Sequence, residues 1–273
     1  MFRGFNISVI GASHHDKGIV CQDSSAHLCT EVYAIAVVSD GHGSKKHFRS
    51  DVGSRIATEV SIAAMSEFFQ RKNEYIDRLD DDYHMILRQL ESNLIYRWRH
   101  CVRSHFDDNP LSAAEKLIYQ ESYGELDKME RVYGAPLVIG ALTPSFALGI
   151  QIGDGACVLI NDEHEVIFPI PADDRLAFGI TTSLCESNAI NDFRHFYCDK
   201  LPSTIIVSTD GVTDSYAEES FTAFNKKIAQ LFREDHDSAL RELSDWLPHL
   251  SEEGSRDDMS MSSVYIAQKG DKN

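Results

Sequence analysis

The segment YAIAVVSDGHG (residues 33–43) is the strongest constraint on this chain, because it has the pattern of a buried strand that runs into a tight polar turn. Residues 34–38 form an apolar run of strand length. The turn sets Asp40 and His42 among glycines, which let a ligand approach the main chain. Carboxylate and carbonyl oxygens are the ligands that Mg²⁺ and Mn²⁺ prefer. The segment therefore predicts a hard-cation site at a strand end, with a solvated loop as the alternative.

Carboxylates follow or precede strand-like runs at three further places. TIIVSTDGVTD (residues 204–214) is a β-branched run that leads to Asp210 and a glycine, Asp257 lies in SRDDMS before another apolar run, and Asp23 ends the motif CQD. If Asp40, Asp210 and Asp257 converge, they repel one another strongly unless cations neutralise them. Two divalent ions about 4 Å apart form a known hydrolytic device. The pattern therefore indicates a carboxylate cluster that binds divalent metal ions.

Composition and charge exclude several classes of protein. The 273 residues carry a formal charge of −17 with a pI near 5.0, which disfavours nucleic-acid binding and polybasic membrane contact. The six cysteines form no CxxC pair, so reduced cysteines in the cytoplasm are the simpler interpretation. Residues 1–13 make a poor signal peptide, and no run reaches the ~20 apolar residues of a membrane helix. We expect a cytoplasmic protein without nucleic-acid or membrane partners.

Periodicity indicates the fold class. Apolar residues recur at helical spacing over residues 44–72 and 80–108, which predicts two long helices. Shorter helices are predicted at residues 112–122, 219–233 and 238–247, strands at residues 5–12, 136–142, 146–152, 156–160 and 166–170, and a polar loop at residues 13–22. Because strands and helices do not alternate in βαβ order, the pattern favours an α+β fold. Internal repeats and low-complexity linkers are absent from the sequence, so we expect one domain.

The ordered set of acidic motifs resembles a known family. DGHG at residues 40–43, the later Asp210-Gly211 and the pair Asp257-Asp258 are similar to motifs of the metal-dependent type 2C (PPM) Ser/Thr protein phosphatases, in particular bacterial members. The resemblance spans nearly the whole chain. It implies a single domain over residues 1–273, with a central antiparallel β-sandwich flanked by antiparallel helix pairs. It also implies a flap-like irregular segment at residues 171–192 beside the active site.

The resemblance implies an activity and a ligand set. Such an enzyme hydrolyses phosphoserine and phosphothreonine in signalling proteins by attack of a metal-bridging hydroxide, with two Mn²⁺ or Mg²⁺ ions. Asp40 bridges both ions, and Gly41 offers its carbonyl to one. Asp210 and Asp257 bind the other ion, and Asp214 holds metal-bound water. Phosphoproteins are then the substrates, and a cognate Ser/Thr kinase is a family-level expectation.

Three residues have roles that depend on the resemblance alone. His42 is expected to act as a general acid, because a serine alkoxide leaving group needs a proton. Asp23 matches the family position that partners this histidine. Asp127 precedes GAP by the interval at which bacterial relatives carry a ligand for a third metal ion. A solvated aspartate at a helix end is the equal alternative for Asp127.

The chain departs from the family beside its first carboxylate motif. Cys21 stands where the family has asparagine, and Gly18 stands at the spacing of its phosphate-binding arginine. Lys17 or His14 could supply the missing positive charge to the substrate phosphate, and an ordinary loop cation is the alternative. These departures keep open a second function, that of a catalytically weak PPM-like regulatory or scaffolding module. A phosphatase with an aspartyl nucleophile is disfavoured, because Val212 stands where its second aspartate belongs.

Overall fold

The computed structural model describes residues 1–124, 126–171, 173, 175–176 and 181–267, without the side chains of residues 126 and 127. Ten strands and seven α-helices lie in these residues. The strands are β1 (Phe2–Val9), β2 (Ser24–Cys29), β3 (Ala34–Ser39), β4 (Leu137–Leu142), β5 (Ala147–Ile152), β6 (Ala156–Ile160), β7 (Val166–Ile167), β8 (Arg194–Cys198), β9 (Thr204–Ser208) and β10 (Met259–Ile266). The helices are α1 (Ala12–Lys17), α2 (Ser50–Gln70), α3 (Leu79–Asp108), α4 (Ala113–Tyr123), α5 (Asp210–Thr213), α6 (Glu218–Glu234) and α7 (His236–Glu253).

The strands form two five-stranded sheets. The first has the order β1-β10-β9-β6-β7, and the second has the order β2-β3-β4-β5-β8. Neighbouring strands are antiparallel in both sheets. The two sheets pack face to face, and helices cover both outer faces, so the α+β fold with α-β-β-α layers is confirmed.

Strand β3 shows why the layers form. All six of its residues are buried, so it contributes apolar side chains to both faces of its sheet. Ile35 and Val37 pack into the core beneath α2 and α3. Ala34, Ala36 and Val38 pack into the core between the sheets. The continuous apolar run of the sequence therefore corresponds to a strand that is covered on both sides.

The long helices are anchored by their predicted apolar stripes. Leu87, Leu94, Trp98 and Val102 of α3 are each at most 1% exposed. The indole nitrogen of Trp98 donates a hydrogen bond of 3.0 Å to the carbonyl oxygen of Gly53 in α2. The donor of this fully buried side chain is therefore satisfied, and the two helices are tied together.

Several predicted boundaries are wrong. The strand predicted at residues 5–12 is β1 at Phe2–Val9, and the strand predicted at residues 166–170 is the two-residue β7. The first long helix begins at Ser50 rather than at residue 44, because a 3₁₀ turn precedes it. The loop predicted at residues 13–22 contains α1. The last helix does not end at residue 247 but continues through Pro248 to Glu253. Leu247 and Leu250 pack against the first sheet on either side of the proline, and this burial offsets the lost helical hydrogen bond.

Candidate metal centre

The candidate carboxylates gather at one end of the sandwich. Asp40 directly follows β3, and Asp23 directly precedes β2, whose first residue pairs with the last residue of β3. Asp210 follows β9 after one residue, and Asp257 precedes β10 by two residues. Because β9 and β10 are antiparallel neighbours, these two aspartates lie at the same end of the strand pair. Asp154 follows β5 after one residue. Because neighbouring strands are antiparallel, the end of one strand meets the start of the next, and all five aspartates face the same edge.

A compact carboxylate triad lies at this edge. Asp40, Asp154 and Asp210 each offer an oxygen atom, and these atoms all lie within 4.8 Å of one another. The three residues are half-buried, so water screens their mutual repulsion only in part. Three converging carboxylate oxygens fit a hard divalent cation such as Mg²⁺ or Mn²⁺. We call these three residues the carboxylate triad.

Electrostatics in the triad favour a bound cation. Burial raises the pKa of Asp40 well above its usual range, and the negative charge of Asp210 adds to the shift. Burial, followed by the charge of Asp154, raises the pKa of Asp210 to about 8. Protons therefore occupy part of this cluster near neutral pH when no cation is bound. A cation that displaces them removes the source of the repulsion.

Asp154 is the triad member that sequence reasoning misses. The sequence analysis predicts Asp257 as the third carboxylate ligand, but this residue is exposed and lies outside the triad. The charge of Asp257 nevertheless contributes to the raised pKa values of Asp40 and Asp210. A signal for Asp154 is present in the sequence, since it precedes a glycine after an apolar strand, as Asp40 and Asp210 do.

Two glycines of the motifs are required by backbone packing. A Cβ atom on Gly41 would lie 2.2 Å from the carbonyl oxygen of Gln22. A Cβ atom on Gly211 would lie 2.0 Å from the carbonyl oxygen of Asp258. Any side chain at either position would clash with the main chain of a neighbouring loop. The Asp-Gly pairs therefore bring the loops that carry Asp23 and Asp257 against the triad.

Asp23 and Asp214 lie around the triad. Burial raises the pKa of Asp23 to about 7, and the Thr209 hydroxyl opposes this shift by donating a hydrogen bond of 2.7 Å to Oδ2. Burial also raises the pKa of Asp214, and the charge of Asp154 contributes to that shift. The Asp23 carboxylate has Thr209 as its side-chain partner, and the partnership of Asp23 with His42 stays a prediction.

His42 is half-buried beside a second histidine. Its ring packs beside that of His47 at a centroid distance of 4.6 Å, and its backbone nitrogen donates to the carbonyl oxygen of Gly134. Burial lowers the pKa of His42 to about 3, and the charges of His47 and Lys46 contribute. A general acid must carry a proton, and this environment opposes protonation. The general-acid role of His42 therefore stays a prediction, and the structure does not favour it.

Asp258 connects the N-terminal loops to the centre. Its carboxylate accepts hydrogen bonds of 2.6 Å from the backbone nitrogens of Gly11 and Gln22. The ring nitrogen Nδ1 of His14 lies 2.9 Å from Oδ2 of Asp258, and both residues are at most 5% exposed. His14 is thus buried against a carboxylate, and its assignment to the substrate phosphate stays a prediction that this placement does not favour. Lys17 is exposed at the end of α1, and its role stays a prediction.

Two predicted features lie partly or wholly outside the described residues. The side chain of Asp127 is not described, so its assignment to a third metal ion stays a prediction. The predicted flap at residues 171–192 is described only at residues 171, 173, 175–176 and 181–192. Within that part, the Thr181 hydroxyl donates a hydrogen bond of 2.8 Å to Oδ1 of Asp154. The segment therefore contacts the carboxylate triad through Thr181.

Replacing Asp154 by asparagine should weaken divalent-cation binding. The substitution removes one anionic ligand from the triad, so we expect the Mn²⁺ affinity to fall by at least about tenfold. Isothermal titration calorimetry measures this directly. Asp162→Asn changes an exposed aspartate in the turn after β6 and provides the matched control. Equal affinities for the two variants would remove Asp154 from the ligand set.

The cation-free protein should lose stability as the pH rises. The pKa values of Asp23 and Asp210 in the folded state are about 7 and about 8, above the ordinary value of 3.8. These two groups bind more protons in the folded state than in the unfolded state, which lowers the free energy of unfolding as the pH rises. Below about pH 6.5 the histidines whose pKa values burial lowers, such as His42 and His47, oppose this effect. The net decrease is therefore expected between about pH 6.5 and about pH 8. We expect the Tm in EDTA to fall over this window, and saturating Mn²⁺ to flatten the dependence. A Tm in EDTA that rises with pH would contradict the raised pKa values.

Comparison with known proteins identifies the class. The sequence model of the family described as protein phosphatase 2C matches residues 10–248. The chain belongs to the protein phosphatase 2C family. A search of curated protein sequences gives no significant match. Membership of this family supports a phosphatase and agrees with the carboxylate triad as a divalent-metal site.

Solved structures of bacterial phosphatases share the fold. One bacterial serine phosphatase is 17% identical, with a TM-score of 0.61 and 100% of both chains covered. The serine/threonine phosphatase Stp1 from Staphylococcus aureus is 16% identical, with a TM-score of 0.61, 98% of this chain covered and 96% of that chain. The catalytic domain of PstP in complex with two manganese ions is 14% identical, with a TM-score of 0.55, 98% of this chain covered and 99% of that chain. At these identities the likeness concerns the fold alone.

Proposed function

We propose that this protein is a Mn²⁺- or Mg²⁺-dependent protein-serine/threonine phosphatase, a hydrolase of phosphoric monoesters. The observation that supports it most strongly is the carboxylate triad of Asp40, Asp154 and Asp210 at the ends of three strands. When bound there, divalent cations would lower the pKa of a coordinated water and offset negative charge on a phosphoryl group. The PstP catalytic domain, which was solved in complex with two manganese ions, supports a pair of cations in this proposal.

The protein's own residues would hold and surround the cations. The triad supplies three anionic oxygen ligands, and the Gly41 carbonyl is a further proposed ligand. Asp23, Asp214 and Asp257 add negative charge nearby without belonging to the triad. The Thr209 hydroxyl orients the Asp23 carboxylate by its hydrogen bond of 2.7 Å. The site therefore concentrates cations next to the proposed phosphate position. Lys17 or His14 is the proposed residue that binds the phosphate itself.

The substitution at Cys21 does not disable the site. Burial raises the pKa of this thiol far above its usual value, and its sulfur lies 3.6 Å from the carbonyl oxygen of Val9 as a weak donor. A half-buried thiol that keeps its proton is a poor nucleophile. Asp258 likewise stands where the resemblance implies the asparagine of a C-terminal Asp-Asn motif, and its carboxylate accepts hydrogen bonds from the backbone nitrogens of Gly11 and Gln22. Both departures are therefore compatible with an active enzyme, and the non-catalytic regulatory module becomes an outcome of the test.

Phosphoproteins are the proposed substrates, and a cognate Ser/Thr kinase is the proposed source of the phosphate groups. We also propose that residues 1–273 form one domain and that the protein acts in the cytoplasm. In the part of the chain that the structure describes, none of the helices combines the length and the apolar character needed to cross a membrane.

Hydrolysis of a phosphothreonine peptide tests the proposal. We expect phosphate release with Mn²⁺ or Mg²⁺, complete loss in EDTA and recovery when Mn²⁺ is returned in excess. The physical reason is that the carboxylates alone repel a phosphate dianion. Activity that persists undiminished in EDTA would overturn the metal-dependent mechanism. Absence of activity under all metal conditions, with cation binding intact, would instead favour the regulatory module.

A further inference from the structure

Two histidines and a buried carboxylate form a cluster between α3 and β8. The ring nitrogen Nδ1 of His84 lies 2.9 Å from Nε2 of His195. The other ring nitrogen of His195, Nδ1, lies 2.6 Å from Oε1 of Glu91. Glu91 is 0% exposed, whereas His84 is exposed. None of the three belongs to the carboxylate triad, so the cluster needs a separate explanation.

Glu91 determines how His195 presents its ring. An ionised carboxylate can only accept hydrogen bonds, so Nδ1 of His195 carries the ring proton and donates a hydrogen bond to Glu91. The unprotonated Nε2 then faces His84. The second oxygen of Glu91 accepts a hydrogen bond of 3.0 Å from Arg88, so the carboxylate itself is fixed. A histidine that donates one N–H to a buried carboxylate and offers its other nitrogen outward has the arrangement of metal-ligating histidines.

The separation of the two facing nitrogens fits a shared ion. For metal–nitrogen distances of about 2.0–2.1 Å, two cis ligands at a right angle are roughly 2.9 Å apart, whereas two tetrahedral ligands are roughly 3.4 Å apart. The observed 2.9 Å between His84 and His195 matches the cis arrangement of a tetragonal ion. Cu²⁺ and Ni²⁺ adopt this geometry and favour imidazole ligands.

His84 can become a ligand without a net change in protonation. In the metal-free pair, Nδ1 of His84 is protonated and donates a hydrogen bond to Nε2 of His195. Moving that proton to Nε2 of His84 frees the Nδ1 lone pair, so both facing nitrogens are then able to donate an electron pair to an ion. His84 is exposed, so water can fill the remaining coordination positions. The two nitrogen ligands also differ in kind from the all-oxygen triad, which favours hard cations.

We propose that His84 and His195 bind a divalent transition-metal ion of the Cu²⁺ or Ni²⁺ kind at a second metal site, with Glu91 as the positioning residue of His195. The site would load independently of the carboxylate triad. A simple hydrogen bond between the two histidines is the competing explanation of their distance, and it requires no metal affinity.

Calorimetry with Ni²⁺ on the full chain tests the proposal. Mg²⁺ in large excess keeps the carboxylate triad loaded with an ion that has little affinity for nitrogen. We expect Ni²⁺ to bind one site, His84→Ala to weaken it by at least about tenfold, and Glu91→Gln to weaken it by about 10–100-fold. His100→Asn, which changes an exposed histidine of the same helix, is the matched control and should leave the affinity unchanged. Thermal denaturation establishes that each variant is folded.

Electron paramagnetic resonance of the protein with one equivalent of Cu²⁺ identifies the ligands. We expect coupling to two imidazole nitrogens in the parent chain and in His100→Asn, and loss of that two-nitrogen signal in His84→Ala. Equal Ni²⁺ affinity of His84→Ala and the parent chain would overturn the proposal, as would a copper signal with oxygen ligands alone. If Glu91→Gln fails to fold, His84→Ala alone tests the metal site. His84 is exposed, so its replacement should leave the fold intact. Neither measurement uses phosphatase activity, so failure here leaves the proposed function untouched.

Discussion

Replacing Asp40 by asparagine should abolish phosphatase activity and, in the absence of cations, make the protein more stable. The substitution removes a triad ligand, so we expect activity on a phosphothreonine peptide to fall by about 10³-fold or more. Burial and the neighbouring aspartates raise the pKa of Asp40, which means that its charge is unfavourable in the folded protein. Asparagine has the same shape without the charge. The Tm measured in EDTA at neutral pH should therefore rise while the Mn²⁺ affinity collapses.

The combination of these two results is what distinguishes a functional site from a structural one. Asp245→Asn changes an exposed aspartate of α7 and should alter neither activity nor Tm. A lower Tm for Asp40→Asn in EDTA would show that the carboxylate stabilises the fold, as an ordinary buried hydrogen-bonding group does. Full activity of Asp40→Asn would mean that the triad is not the catalytic centre.

Replacing His42 by alanine should slow two very different substrates by the same factor. The residue is half-buried, and partial burial lowers the pKa of its ring to about 3, which favours the neutral form at the pH of the assay. It packs beside His47 and against Gly134, and thereby fixes the turn that follows Asp40. If this turn moves, the Asp40 carboxylate moves with it, and a displacement of about 1 Å in a catalytic site costs about 10²-fold in rate. We expect that loss for both p-nitrophenyl phosphate and a phosphothreonine peptide.

The comparison of the two substrates decides what His42 does. A p-nitrophenolate leaving group needs no proton, whereas a threonine alkoxide does. A loss of about 10²–10⁴-fold confined to the peptide would establish His42 as the general acid that the family resemblance implies. Equal losses, with a small decrease in Mn²⁺ affinity, would establish it as a positioning residue. His100→Asn, with an exposed ring, should change neither rate.

Residues near the centre show where sequence reasoning reaches its limit. Asp40 and Asp210 can be predicted because each ends an apolar strand and precedes a glycine, a pattern confined to a few adjacent residues. Asp154 has the same pattern and can be included on equal grounds. The exclusion of Asp257 from the triad cannot be predicted, because it depends on how the loop before β10 packs against α5.

The pair of His14 and Asp258 shows the same limit for a family resemblance. The two residues are 244 positions apart in the sequence, and nothing local relates them. In the structure their side-chain atoms are 2.9 Å apart and almost fully buried. A buried carboxylate needs partners, and Asp258 has them in two backbone amides and in the nearby ring of His14. Sequence reasoning therefore assigns His14 to the substrate, whereas the fold places it in the interior.

The sequence by itself determined the α+β class, the long amphipathic helices and the strands that end in carboxylates, because these follow from periodicity and from residues adjacent in the chain. Only the tertiary structure decided that Asp40, Asp154 and Asp210 meet within 4.8 Å, while Asp23 accepts a hydrogen bond from Thr209 and His42 packs beside His47. Those outcomes depend on strand register, on the packing of two sheets and on burial. Each of these brings together residues that are far apart in the chain, and burial then sets their protonation.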